Sequence, residues 1–414
     1  MSPTFDPSDQ AVALDPYSTY ATLREATPVF YSDATRLHFI TRHADVFAAW
    51  RDRRLGSDFG ERAGFDPAAQ PWRDGSYPDF ARFERWDLIA IEPPDHTRLR
   101  RLVLAAFTPR AVEAQRASIE ARISAALESA RERGRLDVVR DLAEPLSLGI
   151  ICDLLGVWPG DQARVLELSH AVVSMYEPDP PSAQKALAND AAREFLAYAH
   201  DLIEERRRRP TSDLLTSLTE ANVGGERLGD DQIASTAMVL LMAGHEASVN
   251  AAANGIAAFG RHPDEWRALR DGDVAVDRAV EEVLRWDPPL QYFHRWVLED
   301  GFCVGGSDGP DGVSAGVAIP RGERVGLMIG SSNRDPRRFP DPDAFRIARG
   351  ETAHLSFGGG IHFCVGAPLA RMELALLLSA LTQVLPAITL LEGAERRPGF
   401  QFRGYLRLPI LPPS

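Results

Sequence analysis

The chain has 414 residues, of which 44% are hydrophobic and 25% charged, the balance of a folded protein with a substantial buried core. A formal net charge of −13 argues against general affinity for nucleic acid or anionic lipid, so neither is expected as a partner. Cys152, Cys303 and Cys364 are too few and too widely spaced for a zinc cluster or a disulfide framework, which suits a reducing cytoplasm.

Met1 to Tyr20 is rich in Asp, Pro and Ser and carries neither a basic region nor an apolar run, so it reads as neither signal peptide nor anchor. Short strand-like runs follow at Val29–Tyr31 and His38–Thr41. Gly56 to Ile91 is irregular and rich in Gly, Pro and Asp. Phe80, Phe83, Trp86 and Ile89 mark it as an ordered loop with apolar contacts.

From His96 to Pro289 nearly everything reads as helix. Ala111–Arg133 has few breakers and many good helix formers. Two helices meet at Glu177-Pro178-Asp179-Pro180-Pro181, and the second ends in the solvated run Arg206–Arg209. A long apolar helix starts near Asp230 and stops at His262-Pro263. Its stretch Ile233–Ala258 is about long enough to span a bilayer. His245, Glu246, Asn250 and Asn254 make it a core helix instead, because ionisable groups are costly at mid-membrane.

Beyond Pro288 strands take over at Tyr292–Leu298, Arg324–Ile329 and Phe400–Leu411, interrupted by a last helix over Pro368–Leu385. The expected fold is mainly α, of the α+β class, with small sheets. No linker divides the chain, so residues 1–414 are read as a single domain.

The most informative segment is Phe357-Gly-Gly-Gly-Ile-His-Phe-Cys364-Val-Gly366-Ala-Pro-Leu-Ala-Arg371. A cysteine between a glycine-rich loop and a helix start receives positive partial charge from the helix end, and close backbone N–H groups favour its thiolate. A structural buried cysteine, a phosphate-cradling loop and a cysteine nucleophile are the rival readings. The glycine spacing matches neither phosphate-loop fingerprint, and no histidine base is evident.

The segment resembles the haem-binding signature of the cytochrome P450 family, F-G-x-G-x-H-x-C-x-G followed by L-A-R. Every fixed position is matched, by Phe357, Gly358, Gly360, His362, Cys364 and Gly366. The resemblance implies a single-domain haem-thiolate fold with haem b, Cys364 as the iron ligand, Phe357 close to the sulfur and His362 on a propionate. Val280-Glu-Glu282-Val-Leu-Arg285 is similar to the family's E-x-x-R, whose two residues share one helix face. The family pair normally recruits a third, basic residue. Ala344 stands where that residue is common, which leaves Arg346 or Arg349.

His96 and Arg100, one helical turn apart in Pro93-Pro-Asp-His-Thr-Arg-Leu-Arg, are similar to the family's H-x-x-x-R, and Arg295 to its strand arginine. The resemblance implies that these three grip haem propionates, whose carboxylates need cations in an apolar cleft.

Ala243-Gly-His-Glu246-Ala247-Ser248 resembles the family's A-G-x-[DE]-T stretch, where small residues, including Ala243, make room beside the haem and an acid with its threonine relays protons. Glu246 supplies the acid, but Ala247 stands in the threonine position. Ser248 carries a hydroxyl about 100° further round the helix. Three routes stay open: Ser248 through a local helix distortion, a substrate hydroxyl or ordered water, or a chemistry that does not activate oxygen.

By resemblance, Phe83, Ile89, Leu241, Met242, Leu290, Phe293 and Phe402 line an apolar substrate pocket. The implied activity is monooxygenation of an apolar small molecule or natural product with O2. Electrons would come from a ferredoxin or flavodoxin with its reductase, since the chain has no dinucleotide fingerprint and no four-cysteine cluster. A monomer is expected. A peroxide-driven or non-monooxygenating haem enzyme, and a haem-binding sensor, are the alternatives.

Overall fold

A computed structural model describes residues 5–7, 9–58, 75–177, 180–223, 226–305, 316–350 and 352–413. Residues 59–74 of the irregular region, Pro178 and Asp179 of the helix break, and residues 306–315 of the Gly- and Asp-rich expansion lie outside the described residues. In chain order, the elements used below are β1 (Val29–Ser32), β2 (Leu37–Ile40), β3 (Leu55–Gly56), α1 (Pro78–Glu84), α2 (Asp95–Leu104) and α3 (Glu144–Leu155). They continue with α4 (Gln162–Val173), α5 (Ser182–Arg208), α6 (Asp230–Arg261), α7 (Val276–Trp286), β4 (Phe293–Val297), β5 (Arg324–Leu327) and α8 (Ala367–Val384).

Two compact units emerge. One comprises Met1–Phe65, Ile123–Ala143 and Ala247–Ser414; the other comprises Asp66–Arg122 and Glu144–Glu246. The first holds a five-stranded sheet in the order β1-β2-β5-β4-β3. Its pairs are antiparallel except β2 with β5, which run parallel with Val325 opposite His38. Ile40, Trp50, Val297, Val325, Leu327 and Leu355 form its core, and a second cluster gathers Phe5, Tyr20, Phe39, Tyr292 and Phe400. Helix α7 buries Ala279, Val280, Val283 and Leu284 on one stripe and packs on α8.

The second unit is mainly helical, with α5 packed on α1 and α4, and α3 on α4, and carries a short antiparallel pair, Asn222–Val223 with Glu226–Arg227. Helix α6 runs unbroken for 32 residues and passes from this unit into the first between Glu246 and Ala247. Among the described residues no helix is long and apolar enough to cross a membrane.

Two expectations need correction. The irregular region contains helix α1, which opens with Pro78 at its first position and buries Phe80 and Phe83. Pro fits there because the first N–H groups of a helix have no partner within it. The run Ala111–Arg133 is two helices, Pro109–Glu113 and Arg116–Arg133, the first capped by the Thr108 side chain accepting from the Ala111 N–H.

Candidate active site

The cysteine loop is shaped by what lies beside it. Gly360 has φ +66°, and a Cβ there would stand 2.2 Å from the Trp50 carbonyl oxygen, so both backbone conformation and close approach demand glycine. The loop folds back on itself where the Cys364 N–H donates to the Phe357 carbonyl at 3.0 Å. Gly366 then caps α8, with Pro368 in its first turn. Cys364 is therefore half-buried just ahead of a helix N-terminus, the setting that stabilises a thiolate. Cys152 contrasts with it: buried in the second unit, its thiol is pushed up to about 12 by desolvation, which disfavours the thiolate.

The loop is anchored from α7. Arg285 and Glu282 pair through two bonds, Nε to Oε2 at 2.7 Å and Nη2 to Oε1 at 2.8 Å, with side chains 0% and 2% exposed. The third partner is Arg349, whose Nε lies 3.3 Å from Glu282 Oε2. Arg346 contributes its backbone N–H to Glu282 at 2.8 Å, while its guanidinium turns to Asp341. Arg285 also donates to the Asn333 carbonyl at 2.9 Å. The Asn333 side chain in turn accepts from the Leu355 N–H at 2.7 Å and donates to Ser356 Oγ at 2.8 Å. A continuous polar path thus runs from the buried ion pair to the residue before Phe357.

A second anchor escaped the sequence reading. Glu281 accepts from Arg371 Nε at 2.6 Å and lies 3.2 Å from His354 Nε2, tying α7 to α8 and to the segment entering the loop. Burial alone would raise this carboxyl, but the bonds from His354 and Arg371 hold it at about 2. Arg371 also lies over the Phe357 ring, 4.5 Å from its centroid. The only hint in the sequence was the arginine closing L-A-R, which needs an acid once its helix is buried.

His362 stands 3.3 Å from Ser57 Oγ and is half-buried. Arg295 on β4 is 5% exposed, donates to the His294 carbonyl at 2.9 Å, and stacks its guanidinium 4.7 Å from the Trp50 ring centroid. Leu290 and Phe402 form an isolated antiparallel bridge, and both are half-buried, as is Phe293.

In the second unit, His96 on α2 is 1% exposed and Arg100, one turn on, is half-buried. Phe83 packs edge-on against Phe80 with centroids 5.7 Å apart and is fully buried, as Leu241 and Met242 nearly are, while Ile89 is half-buried. In the middle of α6 the small residues divide the work. A Cβ on Gly244 would meet Ile151 of α3 at 2.8 Å, so this glycine serves helix packing. Ala243 is exposed and Ala247, four residues on, half-buried, so they share an open helix face.

Glu246 is 3% exposed, with Oε1 3.3 Å from His170 Nε2. Because α6 is α-helical throughout, Ser248 keeps its place about 100° round from Ala247, and no local distortion carries its hydroxyl to the threonine position.

These residues fit a haem by the chemistry of the donor set. Cys364 offers a thiolate-prone sulfur, and Arg295 offers a buried cation to a carboxylate. Ala247, in the same unit, is half-buried and adds no bulk.

Comparison with known proteins agrees with this. The family model described as Cytochrome P450 matches residues 58–385. The chain is 36% identical to 6-deoxyerythronolide B hydroxylase of Saccharopolyspora erythraea over 405 residues, 96% of either chain. It is 32% identical to the polyketide biosynthesis cytochrome P450 PksS of Bacillus subtilis, over 98% of either chain. Among solved structures, P450BioI in complex with a hexadec-9Z-enoic acid ligated acyl carrier protein superposes with a TM-score of 0.88 at 29% identity. That match covers 97% of this chain and 100% of the other.

Proposed function

We propose, from the premise that this chain belongs to the cytochrome P450 family, that it hydroxylates a hydroxyl-bearing natural product of the polyketide class. The chain is a haem-thiolate monooxygenase acting on a small molecule. The haem, when bound, supplies the redox chemistry that activates O2 for insertion of one oxygen atom. Cys364 is the ligand that holds it, oriented by the loop glycines and by the anchor of Glu282, Arg285 and Arg349. His96, Arg100, Arg295 and His362 are assigned to the propionates, Phe357 and Gly366 to the surroundings of the sulfur, and Ala243 to the face beside the haem. Residues 1–414 act together as one haem domain in this reading.

The observation that carries the substrate proposal is Ala247. Glu246 holds a proton-accepting carboxylate in the interior, but the neighbouring position has no hydroxyl, and the regular helix keeps Ser248 turned away. A substrate hydroxyl, with ordered water, completes the path from Glu246 to the reacting oxygen. PksS and 6-deoxyerythronolide B hydroxylase are named for polyketide biosynthesis and for hydroxylation, which supports this class. Ile89, Leu290, Phe293 and Phe402 are assigned to the apolar part of the pocket. Phe83, Leu241 and Met242 carry the same assignment, and all three are buried within the second unit.

A separate ferredoxin or flavodoxin with its reductase delivers electrons, and the enzyme works as a monomer in the cytoplasm, where Cys152, Cys303 and Cys364 stay reduced. The test has two arms. The carbon monoxide complex of the reduced holoenzyme shows the red-shifted Soret band of thiolate ligation, and Cys364→Ser loses it. A panel of polyketide lactones and their deoxygenated analogues is then turned over with a ferredoxin system. Equal coupling for hydroxylated and deoxygenated analogues would sink the substrate proposal, and full activity with peroxide alone would replace the electron-transfer reading.

A further inference from the structure

On the side of Glu246 that faces α4, four donor side chains from three helices of the second unit converge. His170 Nε2 on α4 lies 3.3 Å from Glu246 Oε1 and 3.7 Å from Glu144 Oε1 at the start of α3. His245 Nε2 lies 3.8 Å from the same Glu246 oxygen. The donor atoms of His170, His245 and Glu246 all fall within 4.8 Å of one another.

We propose that His170, His245 and Glu246, joined by Glu144, form a binding site for a divalent transition-metal ion of the Zn2+ class. Its occupation takes Glu246 out of proton delivery. The second half of the proposal rests on the reading of Glu246 as the proton-handling acid; the first does not.

Three physical arguments carry it. The first is the tautomer of His245. Its Nδ1 lies 2.8 Å from the Leu241 carbonyl, which can only accept, so Nδ1 bears the proton. Its other nitrogen, Nε2, lies 3.8 Å from Glu246 Oε1, and both side chains are nearly fully buried, at 1% and 3% exposed. A backbone carbonyl on the far nitrogen is the outer-sphere bond that orients metal-binding imidazoles.

The second argument is spacing. Zinc contacts of ~2.0–2.1 Å place neighbouring donors of a tetrahedron ~3.3 Å apart. The His170–Glu246 distance of 3.3 Å already meets this, the His245–Glu246 and His170–Glu144 separations are 3.8 and 3.7 Å, and the donor atoms of His170, His245 and Glu246 span no more than 4.8 Å.

The third is composition and access. Two imidazoles with carboxylates select borderline transition ions over Mg2+ or Ca2+, which prefer all-oxygen shells. The cluster forms a graded path inward, from His170 at 42% exposed and Glu144 at 24% to the buried pair. A hydrated ion therefore reaches the outer ligands before it meets Glu246.

The test uses the chelator-treated holoenzyme and zinc sulfate, with binding read by competition against a fluorescent zinc chelator. Wild type takes up one Zn2+ per chain at this site, and zinc-edge X-ray absorption shows two imidazole ligands. His170→Ala weakens binding by roughly tenfold or more, and Glu144→Gln by less. A hundredfold excess of Mg2+ leaves the bound zinc in place.

Equal zinc affinity in wild type and His170→Ala, or displacement by Mg2+, would overturn the site. Product formation is then followed against free zinc. Wild type loses coupling as the site fills, recovers on chelation, and the midpoint moves with affinity in His170→Ala. If zinc binds as described but coupling is unchanged, the metal site stands, and the inhibitory role falls together with the assignment of Glu246 as the acid.

Discussion

Arg349 closes on Glu282 with its Nε 3.3 Å from Oε2, completing an ion triad in which no side chain is more than 7% exposed. One carboxylate between two guanidiniums leaves a net positive charge in the interior. The carbonyls of Pro340, Asp341 and Ala344 offset it by accepting from Arg349. Arg349 thereby staples the segment before the cysteine loop to α7.

Removing Arg349 should therefore loosen the loop without dismantling the pair. Arg349→Ala loses a charge-assisted bond and several bonds to carbonyls, a cost of about 1–3 kcal/mol. Arg285→Ala removes both bonds of the fully buried pair, leaves Glu282 only Arg349 and the Arg346 N–H, and costs about 3–5 kcal/mol. Chemical denaturation and the rate of haem transfer to apomyoglobin measure both, and faster haem loss is expected in each. Equal effects from the two variants would show that Arg349 and Arg285 act as one unit.

The acid limb of stability should carry the mark of Glu281. Its carboxyl is held at about 2 in the fold against an ordinary value of 4.5. The folded state thus binds fewer protons than the unfolded state between these values. The stabilisation is complete above about pH 4.5 and is lost as pH falls towards 2. Glu281→Gln should cost about 1–3 kcal/mol at neutral pH and flatten the fall in stability on acidification. Melting curves from pH 7 downwards decide this; an unchanged acid slope would remove Glu281 from the anchor.

Asp87 has the opposite sign. Buried beside α4, it is pushed up to about 6 by desolvation. The Ile89 N–H at 2.7 Å and the Tyr176 hydroxyl at 3.2 Å only partly offset this. The folded state binds more protons than the unfolded one between 3.8 and about 6, so stability falls as pH rises through that window. Asp87→Asn should stabilise the protein by about 1–3 kcal/mol at pH 7 and change little below pH 4. A destabilised variant at pH 7 would mean that the Tyr176 bond outweighs desolvation.

What the sequence made legible was local. The ligand loop is readable because glycine conformation, cysteine placement and helix start lie within fifteen residues of one another, and the long helix because its apolar run ends at a proline. Glu282 and Arg285 share a helix turn, so their pairing follows from spacing; the choice of Arg349 over Arg346 depends on a turn sixty residues away. Glu281 and His170 escaped notice for the same reason, since each gains its role from a partner on another element. Helix α1 was hidden by its seven-residue length among Gly and Pro, too short for periodicity to register.

The missing hydroxyl at position 247 offers the sharpest discrimination. If the substrate and its ordered water complete the proton path, Ala247→Thr adds a side chain to the open face it shares with Ala243 and competes with them. Coupling of electrons to product should then stay level or fall with the hydroxylated substrate. Methylating the substrate hydroxyl in wild type should cut coupling by roughly a hundredfold if it acts as a general acid. With the methylated substrate, Ala247→Thr should recover part of the loss, because the new hydroxyl takes the vacant role. Ser248→Ala should change coupling little, since the regular helix turns that residue aside. A large gain in coupled product for Ala247→Thr with the native substrate would refute the substrate-supplied path, and a collapse in Ser248→Ala would transfer the role to Ser248.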